Sequence, residues 1–344
     1  MAIPVDAPAP MSVRERAAIA LLIGGGAAAL ALVAMMAHPQ FGARDFTYQW
    51  RAAHALIEGL DPYRVIRPTG PYPYENYYYY PVPAALTAMP FVMLSPIAGA
   101  ALFVGLSSAA LAYALTAQGR SPLVLFLTPA YLVSAVLGQM TPLLLAGALL
   151  PALQWSFAGK PTIAAALAVA RPSRLGLACA AALVAATLVL WPTWPAGWLD
   201  AIRHTPHHRA AVLRPLGFVA LAGLLRWRRP EGRLVAALAC VPQVFFFYDQ
   251  LPLQLVARTV RQGLTLAALG WIAWGIGWGT CVHRPMCVES SEPWIVPLLY
   301  LPALALVLRR PNEGPVARWA DRLGRSLRGL LSASVSSLPS GIGR

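Results

Sequence analysis

Residues 17–37, AAIALLIGGGAAALALVAMMA, form a run of 21 residues without a charge, with Arg14 and Arg16 just ahead of it. A helix rises about 1.5 Å per residue, so this run can cross a hydrocarbon core of roughly 30 Å. Its basic flank and the small-residue exit at 34–37 also resemble a secretory signal. The length of the run and the many apolar runs behind it favour a retained first helix. Further segments of spanning or near-spanning length lie at 81–95, 98–117, 122–137, 140–155, 175–191, 210–226, 234–248, 263–279 and 294–308. Two shorter ones, 161–170 and 250–257, cover about half of a bilayer and read as half-helices lining a cavity, where irregular backbone is tolerated.

Composition agrees with that reading. Charged residues make up 12% of the 344 residues, about half the soluble norm, while 58% are hydrophobic and the mean hydropathy is +0.58. A soluble domain, a disordered chain and a fibrous repeat are excluded. The fold class expected is an all-α polytopic membrane protein of about ten to twelve transmembrane helices. The net charge of +14 does not mark nucleic acid, because the Arg residues sit in short loops between apolar runs and in the tail. With the N-terminus in the cytoplasm, the Arg-rich turns at 171–174, 226–233 and 258–261 fall inside, and loops 38–80, 192–209 and 280–293 fall outside. Residues 1–308 read as the membrane domain and 309–344 as a basic cytoplasmic tail.

Two amphipathic helices are expected at membrane surfaces. The first, in the 38–80 loop, places Phe46, Trp50, Ala53 and Ile57 on one face and Arg51, His54 and Glu58 on another, and Gly59 ends it. The second spans 316–331, with Arg318, Arg322, Arg325 and Arg328 on its polar face against anionic lipid. Four Cys are too few for a disulfide scaffold, although Cys281 and Cys287 could bridge in an outer loop.

Several residues could carry chemistry. Asp45 opens the first surface helix, where it can cap the helix, act as general base on a hydroxyl acceptor, or do both. Six Tyr lie between residues 72 and 80, a pattern that suits an aromatic belt or a platform for a sugar ring. Lys160 is the only Lys among the 27 basic residues; it either snorkels at a helix end or contacts a phosphate. Arg203, His204, His207, His208 and Arg209 make an outer loop basic, against the positive-inside trend, and suit a lipid phosphate better than zinc. Asp249 follows an aromatic run and is expensive inside a membrane unless paired, with Arg258 or Arg261 as candidates. Gln139, at the break Gly138-Gln139, is either a helix-to-helix hydrogen bond or part of a site. There is no Walker-type loop, no GxGxxG after a strand and no nucleophile elbow.

The order of these motifs resembles the integral-membrane glycosyltransferases of family 87, the group related to polyprenyl-phosphate-mannose-dependent mannosyltransferases. The resemblance covers about residues 40–260. It rests on Asp45-Phe46 with Tyr48 and Trp50, Gly59 to Tyr63 as GLDPY, Tyr80-Pro81, Gly138-Gln139, Lys160-Pro161 and Tyr248-Asp249. It implies a bundle like that of GT-C enzymes, with the active site at the outer face of the cell's inner (plasma) membrane. The implied donor is a polyprenyl-phosphate sugar and the acceptor a lipid or glycan. Asp45 matches the catalytic aspartate of the first outer loop, and Tyr48, Trp50, Asp61, Tyr63, Tyr80, Gln139 and Asp249 become candidate substrate contacts. The phosphate is expected to meet Lys160, Arg203, His204, His207, His208 and Arg209. No cofactor is required by this reading, and a divalent cation is left open, since the first outer loop has no DxD pair. The rival reading is a lipid or glycan transporter, for which broken helices are also expected.

Overall fold

The computed structural model describes residues 11–37, 44–119, 121–205, 208–279 and 291–313. Within them the chain is mostly helical, with a two-residue pairing of β1 (Ile66–Arg67) with β2 (Tyr72–Pro73) and an isolated bridge between Ala210 and Pro242.

Among the described residues, two helices are long and apolar enough to cross a membrane, α1 (Val13–Ala37) and a later partner. Helix α1 opens on a capping box: Glu15 N–H donates to Ser12 Oγ while Ser12 N–H donates to the Glu15 carboxylate. α2 (Arg44–Ile57), α3 (Pro62–Val65) and α4 (Val82–Ala88) follow, and α5 (Pro96–Thr116) is the second crossing helix. α1 and α5 approach closely because glycine and alanine line their contact. A Cβ at Gly24 would stand 2.8 Å from Ala109 Cβ, and one at Gly105 would stand 2.9 Å from Ala28 Cβ.

The next apolar runs are broken. α6 (Pro129–Leu137) and α7 (Thr141–Leu149) meet at 116°, and α9 (Arg174–Leu190) and α10 (Trp194–Arg203) at 100°; counting each bent pair as one crossing brings the total to four. Between the pairs lies α8 (Pro161–Ala170), and after them come α11 (Pro230–Cys240), α12 (Val260–Gly279), α13 (Glu292–Ile295) and α14 (Leu301–Leu308).

Several expected segments are therefore shorter than read. The 122–137 run is a 3-10 stretch, Ser121–Leu127, followed by α6, because Thr128 caps a new helix by accepting from Tyr131 N–H and Pro129 occupies its first position. The 81–95 run ends its α-helix at Ala88, ahead of Pro90. The 140–155 run stops at Leu149 before Pro151, and 234–248 stops at Cys240 before Pro242. The 210–226 run is 3-10, Ala211–Leu213 and Gly217–Arg226. α8 and α9 fall where expected.

Apolar side chains face both outward and inward, and a minority of polar ones are buried among them. Leu21 and Leu22 on α1 are 73% and 76% exposed, and Leu175, Val189 and Leu190 on α9 are exposed too, whereas Gln139, Lys160 and Asp249 are buried. Exposed apolar faces fit embedding in lipid, which solvates leucine and leaves buried polar groups to find partners inside. The 316–331 helix, the Cys281 and Cys287 pair and His207 lie outside the described residues.

Candidate functional site

α2 docks onto the bundle through a face shifted from the expected one. Phe46, Gln49, Ala52, Ala53 and Leu56 are buried, while Ile57 is 59% exposed, because contacts with α4 and α5 select the stripe. Phe46 anchors the helix, its ring 5.3 Å from Phe103 and 6.0 Å from Phe91. Gly138 closes α6 in the left-handed region (φ 68°), and a Cβ there would stand 2.7 Å from Phe46 Cβ. Glycine thus permits both the turn and the approach. The turn presents Gln139 to the first turn of α2, where Gln139 Nε2 donates to Asp45 Oδ2.

Lys160 immediately precedes α8, whose first residue is Pro161. Its Nζ donates to Gln139 Oε1 at 3.2 Å and to Asp249 Oδ1 at 2.7 Å, and stands 4.7 Å above the Tyr248 ring. Asp249 lies in the 3-10 turn Tyr248–Val256, and its Oδ2 accepts from Val244 N–H at 2.9 Å. One hydrogen-bonded chain therefore runs from Val244 N–H through Asp249, Lys160 and Gln139 to Asp45. Lys160 and Asp249 are only 8% and 2% exposed, so each supplies the countercharge that makes burial of the other tolerable. Asp249 pairs with Lys160 and not with Arg258 or Arg261; Arg258 bonds Glu231.

The chain borders a cleft with two adjoining parts. The larger, about 510 Å³, is lined by Tyr79, Tyr80, Lys160, Trp198, His208 and Asp249 among others, and lies within the range of small-molecule sites. The smaller, about 240 Å³, holds Asp45 with Tyr48, Tyr74 and Asn76. Tyr79, Thr205, His208, Val244 and Tyr248 line both, so the carboxylate of Asp45 and the ammonium of Lys160 open onto neighbouring spaces. Burial pushes the Tyr48, Tyr79 and Tyr80 phenols far above their ordinary range, with nearby phenols and carboxylates adding to it, so all three stay protonated. They can donate hydrogen bonds and cannot serve as bases.

Other expected site residues have structural partners instead. Asp61 caps α3, accepting from Tyr63 N–H at 3.0 Å, and lies 3.4 Å from Arg64 Nε. Tyr63 donates to Tyr80 O at 2.8 Å, and Trp50 Nε1 donates to Leu94 O at 3.1 Å. Arg203, His204 and Arg209 are exposed and border neither part of the cleft; His204 stacks on Tyr77 with centroids 5.0 Å apart. Of the basic outer set, Lys160 and His208 reach the cleft. The sequence reading missed Trp198, which lines the larger part and donates from Nε1 to Tyr79 O at 2.9 Å. The Trp-rich run at 191–198 was its available signal.

Beside Asp249 the Lys160 ammonium already supplies the countercharge. Among the described residues no three His, Cys, Asp or Glu cluster as a metal site would need. Compared with protein-family models, curated proteins and solved structures, the chain matches none.

Proposed function

We propose that this protein is a membrane glycosyltransferase that moves a sugar, mannose or another hexose or pentose, from a polyprenyl-phosphate donor to a lipid or glycan acceptor. In this reading the bundle is GT-C-like, with ten to twelve crossings. It sits in the inner membrane with Asp45 at the outer face. The observation that carries the proposal is the hydrogen-bonded chain linking Asp45 to Lys160 along an aromatic-walled cleft.

The chemistry needs a base on one side of the anomeric carbon and a cation on the other. Asp45 accepts the proton of the acceptor hydroxyl as its oxygen bonds to the anomeric carbon. The bond from that carbon to the phosphate oxygen breaks, and the lipid phosphate leaves as a stabilised anion, so no general acid is required. Attack opposite the phosphate inverts the anomeric centre. Lys160 has three N–H donors and spends two on Asp249 and Gln139, which leaves one for a phosphate oxygen. Asp249 positions that ammonium. Tyr79, Tyr80 and Trp198 supply ring faces for the sugar and apolar surface for the first prenyl units.

A polytopic lipid or glycan transporter is the second reading, favoured by the 116° break at the polar residue Gln139. Protein purified and reconstituted with a polyprenyl-phosphate sugar and candidate acceptors separates the two. Sugar transfer supports the transferase, whereas movement of the donor across the bilayer without transfer would replace it with the transporter.

A further inference from the structure

We infer that the end of the bundle opposite Asp45 carries a second anion site, which takes a phosphate group through Arg171, Arg229 and Arg258. This goes beyond the transferase reading and does not depend on it. Helices α8 and α11 place it. α8 starts beside Lys160 and ends before Arg171, so its ten residues separate the two by about 15 Å. α11 runs the other way, from Arg229 and Glu231 towards Pro242 and Val244 on the first cleft. Arg233 fixes the antiparallel pair by donating to the last carbonyls of α8, Val169 O at 3.0 Å and Ala170 O at 2.9 Å.

Between these ends lies a cavity of about 410 Å³ whose wall includes Gln118, Ser121, Arg171, Arg229, Glu231 and Arg258, with the exposed Glu313 also contributing. Its chemistry is unlike the aromatic cleft, being dominated by guanidinium groups. Glu231 is already neutralised: its Oε1 accepts from Arg258 Nε and NH2 at 3.2 and 2.9 Å, and Arg310 stands 3.6 Å away. The other two are under-used. Arg229, 8% exposed, spends only its Nε, on Pro311 O, and the half-buried Arg171 guanidinium makes no hydrogen bond to the described residues.

Clustered guanidinium groups repel one another and lose hydration, a cost that an anion removes. Their planar forks match the tetrahedral oxygens of a phosphate, which accept several such bonds at once. A phosphate here could belong to a lipid headgroup or to a soluble phosphate ester or ion, and the chemistry of recognition is shared.

The test uses the full chain. Thermal unfolding is followed in detergent against inorganic phosphate, with chloride at matched ionic strength, and in phosphatidylcholine nanodiscs with increasing phosphatidylglycerol. A saturable rise in Tm is expected in at least one arm, and Arg171→Gln should weaken the half-saturation by about tenfold or more, the worth of a charge-assisted contact. Arg261→Gln, whose side chain does not line the cavity, should bind as wild type. Saturation by phosphate alone assigns a soluble ligand, and saturation by phosphatidylglycerol alone assigns a lipid headgroup. Because Arg171 holds no structural hydrogen bond through its guanidinium, the variant should fold; if it does not, Arg258→Gln, with a side chain 54% exposed, serves in its place. Absence of a saturable effect in both arms, or wild-type binding by the variants, overturns the site.

Discussion

Lys160 and Asp249, 89 positions apart in the chain, meet at 2.7 Å in the interior of the bundle. Removing one partner strands a buried charge, which costs about 3 to 5 kcal/mol, whereas replacing both with apolar side chains of similar size can be neutral. Lys160→Met and Asp249→Leu should therefore each lower the unfolding temperature strongly, and the double variant should regain much of the loss. Thermal unfolding of the four proteins of this cycle measures the coupling. If the two losses simply add, the pair is not interacting as described.

Asp45→Asn keeps the size of the side chain and can still accept from Gln139 Nε2, so folding and donor binding should survive. Loss of the proton acceptor should lower single-turnover transfer by about 100-fold to 10,000-fold. Near-normal transfer by a well-folded Asn protein would remove Asp45 from the role of base.

Gly138→Ala should destabilise by roughly 2 to 4 kcal/mol, combining left-handed backbone strain with the clash against Phe46. Because that turn also aims Gln139 at Asp45, transfer measured at a temperature where the variant is folded should fall as well. An unchanged melting temperature would contradict the close approach.

Glu231 gives a pH dependence with a definite sign. Burial pushes its carboxyl up, but its own backbone N–H and the Arg258 and Arg310 guanidinium groups outweigh burial and hold it below the ordinary glutamate range. Its contribution to stability is thus fully present above the unfolded value, about 4.3, and is lost as pH falls through the lower folded value. The difference in melting temperature between wild type and Glu231→Gln should be constant near neutrality and shrink on acidification below about pH 4.3. A difference that grows on acidification would reverse the assignment.

Much of the scaffold is legible locally. Hydropathy marks α1, α5, α8 and α9, because an apolar run of given length and its Pro and Ser boundaries are properties of neighbouring residues. Asp45 at the head of an amphipathic helix, the single Lys160 and the costly Asp249 also stand out from their surroundings alone. What the sequence could not decide is partnership. Asp249 had two nearby Arg candidates, yet the fold turns Arg258 to Glu231 at the other end of the bundle and delivers Lys160 from a different helix. The same holds for the break at Gly138, which only permits a turn while packing against Phe46 fixes its direction. Periodicity is read within one segment, but a buried charge is stabilised only by the group that packing brings within a few ångströms of it, and that choice belongs to the tertiary structure.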